Sequence, residues 1–178
     1  MRHLLALCLA SALLAACASE GRQYKAELVK TIQRSDSVVV TEHSFQYDLY
    51  DQEAHASLIP DQVVYSKRAL TPEQRSELLS VTRELNPTTQ NEFSMCIFEP
   101  HHALLFYAND KLLSTMEICF KCKQVEWDGS KLTPPGALYA GLGAFLQSIG
   151  FEPTKDWTAL AEEYRRSHPV STVDGKTQ

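Results

Sequence analysis

"HALLFYANDKLLSTMEICFKC", residues 102–122, decides how this chain folds. Two runs of strand-forming residues, His102 to Ala108 and Leu112 to Cys122, flank Asn109-Asp110, a pair that tolerates the positive φ of a two-residue hairpin turn. Reversal at that pair sets Ala108 against Lys111, Phe106 against Leu113, Leu104 against Thr115 and His102 against Glu117. Opposite residues share a face. One face then carries His102, Leu104 and Phe106 beside Leu113, Thr115, Glu117 and Cys119. The other carries Ala103, Leu105 and Tyr107 beside Leu112, Met116, Ile118, Phe120 and Cys122, and reads as core. The first face gathers an imidazole, a carboxylate and a thiol (His102, Glu117, Cys119) at its end away from the turn. A slip of one residue would exchange the two sets.

Working outward, Phe93 to Phe98, Val38 to Thr41 and Val63 to Lys67 read as further strands, and Phe45, Tyr47 and Leu49 alternate with polar residues as a strand with one buried face does. Asp51 to Pro60 reads as a loop. Tyr24, Leu28 and Ile32 lie on one helical stripe, predicting a first helix over 24–33. Thr71-Pro72-Glu73-Gln74 combines an N-cap, a proline at the first helical position and a capping-box Gln, and Asn86-Pro87 stops that helix. Thr133-Pro134-Pro135 opens another, with Leu138, Leu142, Phe145 and Ile149 inward and Gly150 as its stop. Its Gly136, Gly141 and Gly143 thin one side for close packing on the sheet. Thr154 is the expected cap of a last helix carrying Trp157, Leu160 and Tyr164. Strands joined by short turns, with helices before and after them, predict one α+β domain over 24–166: a mostly antiparallel sheet packed by about four helices, with 167–178 a solvated tail.

The N-terminus sets the compartment. Arg2 and His3 precede an apolar run from Leu4 to Leu14, too short to span a bilayer and laid out as a secretory signal. "LLAAC", residues 13–17, closely resembles the lipobox of bacterial lipoproteins. The resemblance implies that residues 1–16 are a discarded signal peptide, with Cys8 inside it, that Cys17 is acylated (palmitate among its chains), and that 17–23 is a short tether. With Ala18 and Ser19 rather than Asp after the Cys, it further implies an outer-membrane protein facing the periplasm. The chain has 17 Lys and Arg against 22 Asp and Glu, a net charge of −5, and loss of Arg2 makes the balance more negative. Such a chain is expected to bind no nucleic acid and to hold the membrane through its lipid rather than through a basic patch. Its protein partner is not legible.

In an oxidising envelope the remaining cysteines, Cys96, Cys119 and Cys122, admit three readings. Together with His102 or its neighbour His101 they form a ligand set for zinc or a soft copper ion, provided that the chain turns between Cys119 and Cys122, which an unbroken strand would send to opposite faces. Alternatively a disulfide joins Cys96 to Cys119 or Cys122 and leaves one thiol free. In the third, Cys119 is a nucleophile activated by His102 and oriented by Glu117. A thioredoxin-like couple is disfavoured, because Lys123 to Trp127 reads as a strand and not as a helix N-terminus. His43 and His55, in polar segments without partners at ligand spacing, are expected to be exposed, and Tyr47, Tyr50 and Tyr65 to pack on the sheet. The pair "EPHH" and "EICFKC" is also similar to a Pro-x-His, Ile-Cys-Phe-x-Cys pattern of small uncharacterised bacterial proteins, which groups Pro100, His102, Cys119 and Cys122 but brings no activity with it. The functional expectation is a lipid-anchored envelope protein acting as a binding or structural component, with metal binding or thiol-dependent catalysis as alternatives.

Overall fold

The central hairpin forms at the expected turn: β5 (His102–Ala108) and β6 (Lys111–Cys119) are joined by Asn109 and Asp110, both at positive φ (50° and 59°). The structure, a computed structural model, describes residues 20–60, 62–89 and 95–169; the expected signal peptide, Cys8 and Cys17 lie outside these. β1 (Ser37–His43) pairs with β5, β4 (Val64–Ala69) with β1, and β7 (Gln124–Trp127) with β6, giving an antiparallel sheet of order β4-β1-β5-β6-β7. A two-stranded ribbon, β2 (Tyr50–Asp51) with β3 (Ala56–Ser57), stands apart. Helices α1 (20–34), α2 (Pro72–Glu84) and α3 (Leu138–Ser148) precede, interrupt and follow the strands, and α4 (Trp157–Ser167) closes the described chain. The fold is α+β, as its pattern predicts.

Register departs from expectation. A bulge between Phe106 and Tyr107 leaves Leu113 without a partner and shifts every pair beyond it: Phe106 faces Ser114, Leu104 faces Met116 and His102 faces Ile118. Burial explains the shift. With it, Phe106, Met116, Ile118 and Leu104 all point to the helical layer and are buried, whereas Leu112 and Leu113 stay at the exposed tip. Each side chain so buried contributes about 2 kcal/mol. The expected face therefore holds for β6 and is reversed for β5.

That layer is built by Tyr24, Leu28 and Ile32 of α1, Leu78 of α2, and Leu138, Leu142, Phe145 and Leu146 of α3, against Val38 and Val40 of β1. The ends are tied individually. Thr71 Oγ1 accepts the Gln74 N–H while Gln74 Oε1 accepts the Thr71 N–H, the expected capping box. Lys25 Nζ donates to the Arg83 and Leu85 carbonyls at the far end of α2 (3.0 and 3.1 Å). Gly150, at φ 83°, ends α3, whose Ile149 carbonyl accepts from the Arg68 guanidinium of β4. Gly141 packs not on the sheet but against Leu85 and Val81, where a methyl group would come within 3.0 Å of Leu85. Gly143 meets Phe120.

Three expected elements differ. Residues 46–49 are a turn rather than a strand, because Asp48 accepts the Phe45 N–H at 2.7 Å and folds the backbone back. α3 starts at Leu138, since Pro135 is held in a bridge with Thr89. Asp156, not Thr154, caps α4, and that helix runs through Ser167, into the expected tail. Of the expected strand over 93–98, residues 93 and 94 lie outside the described chain and 95–98 are irregular. Among the described residues no helix is long and apolar enough to cross a membrane.

Candidate functional site

The helical layer runs out at the open end of the β1–β5 ladder, where Glu42 faces His102 in the last pair. One residue further, the His43 N–H donates to the His101 carbonyl (3.0 Å). Alternation thus sends Glu42 and His102 toward the helices and His43 and His101 toward the opposite face. Trp157, the first residue of α4, sits across this end. The His101 ring stacks on its indole (centroids 4.4 Å apart, planes 6° apart) and the His102 ring meets it edge-on at 5.4 Å. Phe120 closes the other side of His102 at 5.2 Å, also edge-on.

The charged side chains at this end are paired. Asp48, from the turn after β1, reaches His101 Nε2 at 2.7 Å and fixes that ring. Buried Glu42 meets Lys155 Nζ at 2.6 Å, an opposite charge placed against it. His102 has no such partner. It is 1 % exposed, and its ring nitrogens have only loose neighbours among the described residues: the Glu152 backbone carbonyl, and Glu42 Oε1, already engaged by Lys155, 3.5 Å from Nε2. Burial first, then His101, His43 and Lys155 beside it, push the His102 pKa down to about 3, against a backbone carbonyl at Glu152 that favours the proton. His43, which the sequence marks as exposed, is buried, and burial with His101 beside it lowers its pKa to about 4 despite Asp48. Both imidazoles are neutral at pH 7.

His101 and His102 open onto a cleft of about 470 Å³, whose wall also includes Tyr47, Asp48, Phe120, Lys121, Lys155 and Trp157. A neutral imidazole carries one N–H donor and one acceptor nitrogen, and those of His102 lie buried beneath the cleft wall. Aromatic walls supply apolar surface, and the Lys155–Glu42 and His101–Asp48 pairs give fixed polarity. Such a lining is what a pocket for a small polar ligand requires.

The cysteines lie beside the cleft. Residues 120–123 form a turn, with Lys123 at φ 55°, so the chain does reverse between Cys119 and Gln124. Cys122 is bridged to Cys96 (Cα atoms 5.6 Å apart), and Cys119 is a free, buried thiol. Lys121 Nζ and Glu99 Oε2, 2.8 Å apart, make a second tie between the same two loops. Of the four expected metal ligands, Cys96 and Cys122 are thus spent on each other. Among the described residues no three His, Cys, Asp or Glu side chains converge to hold an ion. The expected His102, Glu117, Cys119 cluster is dispersed by the bulge: Glu117 faces Ala103, on the opposite side of the sheet from His102, and Cys119 follows Glu117 by alternation. Glu117 stands directly across from Glu126, and burial, then Glu126 and Asp128, raise its pKa.

Sequence reasoning marked His102 and its neighbour His101 but not Asp48, Glu42, Lys155 or Trp157 as members of one site. These four come from three segments, β1, the 46–49 turn and the start of α4, and only the fold brings them to the two histidines. Comparison with protein-family models, with curated proteins and with solved structures finds no match for the chain.

Proposed function

We infer that this chain is a lipid-anchored envelope protein, held by an acylated Cys17 at the outer membrane and facing the periplasm, whose folded domain is a binding component that takes a small polar ligand into the His102 cleft. The carrying observation is the buried imidazole of His102, whose nitrogens have no well-formed hydrogen bond among the described residues, beside a cleft walled by Trp157 and Phe120. Leaving a buried polar group unpaired costs about 1–3 kcal/mol, a cost that a ligand with one acceptor and one donor removes on binding. The lipobox-like "LLAAC", the basic start and the acidic balance support the placement at a membrane surface and a partner other than nucleic acid. A disulfide between Cys96 and Cys122 agrees with an oxidising compartment.

The test is native mass spectrometry of the chain purified from its own envelope in mild detergent. Wild type is expected to retain a stoichiometric low-mass species that is lost from His102→Leu and Trp157→Ala chains of unchanged circular dichroism. Identical spectra for wild type and both variants would count against the cleft as a binding site.

A further inference from the structure

Three cysteines gather where the 95–99 loop joins the 120–123 turn. Cys119 Sγ accepts the backbone N–H of Cys122 at 3.3 Å, which places the free thiol against the residue whose own sulfur is bridged to Cys96. The two inner residues are buried, whereas Cys96 is only half-buried and lies between Met95 and Ile97, both exposed. The reversal at 120–123 is the short closed turn that a bridge between Cys119 and Cys122 needs, and Lys121 brings an ammonium group to the same turn.

We propose that Cys96, Cys119 and Cys122 form a thiol–disulfide exchange site, in which Cys119 displaces Cys96 from Cys122 and presents it at the surface as a thiol for a disulfide-bearing substrate. The Cys119 thiolate attacks Cys122 Sγ, the Cys119–Cys122 bond forms, the Cys122–Cys96 bond breaks, and the electron pair leaves on Cys96; the proton released by Cys119 is taken up by the Cys96 thiolate. No external oxidant enters, since one disulfide and one thiol stand on each side. The direction has a physical basis: the outermost sulfur is the leaving group, and its thiolate is the one that water can solvate. In a second step the Cys96 thiolate attacks an external disulfide, forming a mixed disulfide and releasing one external thiol. The Lys121–Glu99 ion pair is a second, non-covalent contact between the two loops. Nothing in this chemistry requires the His102 cleft to be filled.

The full chain, purified in mild detergent, is incubated with oxidised glutathione near neutral pH, quenched with an alkylating agent and mapped by peptide mass spectrometry. Glutathione is expected on Cys96 in molecules that carry a Cys119–Cys122 bridge, with at least a tenfold loss of that adduct in a Cys119→Ser chain. Glutathione on Cys119 with the Cys96–Cys122 bridge intact, or no adduct at any of the three before denaturant is added, overturns the proposal. Because Cys119→Ser opens a buried position and could fail to fold, Cys96→Ser provides an independent reading. After incubation with oxidised glutathione, which takes up the two electrons and leaves as two glutathione thiols, this chain is expected to hold Cys119 and Cys122 joined to each other and unreactive toward alkylation, and two alkylated cysteines there overturn the proposal equally.

Discussion

Burial of His102 and His43 fixes their charge before any ligand arrives, and this has a thermodynamic signature. In the unfolded chain both titrate near 6.5; in the folded chain they titrate at about 3 and about 4. The unfolded state therefore binds more protons below pH 6.5, and stability is complete above that pH and lost as pH falls toward the folded values. His102 alone is expected to cost about 2 kcal/mol on going from pH 7 to pH 5. Urea unfolding at the two pH values should show a smaller loss for His102→Asn than for wild type, and equal losses would contradict the buried, neutral imidazole. His102 was legible in the sequence because it begins a strand beside a second histidine. The burial of His43 was not, because what covers it belongs to other segments.

Among the elements, two written in local chemistry form where the sequence puts them. The Thr71–Gln74 capping box sits where its four residues put it, and Thr71→Ala should lower stability by about 1 kcal/mol in urea denaturation, with Thr71→Asn close to wild type. The Asn109-Asp110 turn is equally local. Register is not: the bulge that leaves Leu113 unpaired is selected by packing against α1, α2 and α3, which a two-strand reading cannot weigh. Alternation at Phe45, Tyr47 and Leu49 misled for the converse reason. A single side chain, Asp48, satisfies the backbone of that segment as a turn, and the same carboxylate orients His101 through its second oxygen. The odd spacing of Cys119 and Cys122 likewise implied opposite faces only as long as the strand continued, and it ends at Cys119.

For the whole molecule, a sheet covered on one face by three helices leaves its candidate site where that cover stops, and α4 crosses it with Trp157. If Cys17 tethers this domain to a bilayer, labelled palmitate should enter the wild-type chain and be absent from Cys17→Ser, whose leader should remain attached. An unlabelled wild type would refute the anchor while leaving the cleft untouched. The cleft itself is tested most directly by side-chain ¹⁵N NMR of the His102 imidazole, recorded as a pH titration and then with the low-mass fraction of the native envelope. The account predicts a ring that stays neutral below pH 5 and whose nitrogen resonances shift, with those of Trp157, when the fraction is added. A ring that protonates near 6.5 and does not respond to the fraction would contradict it.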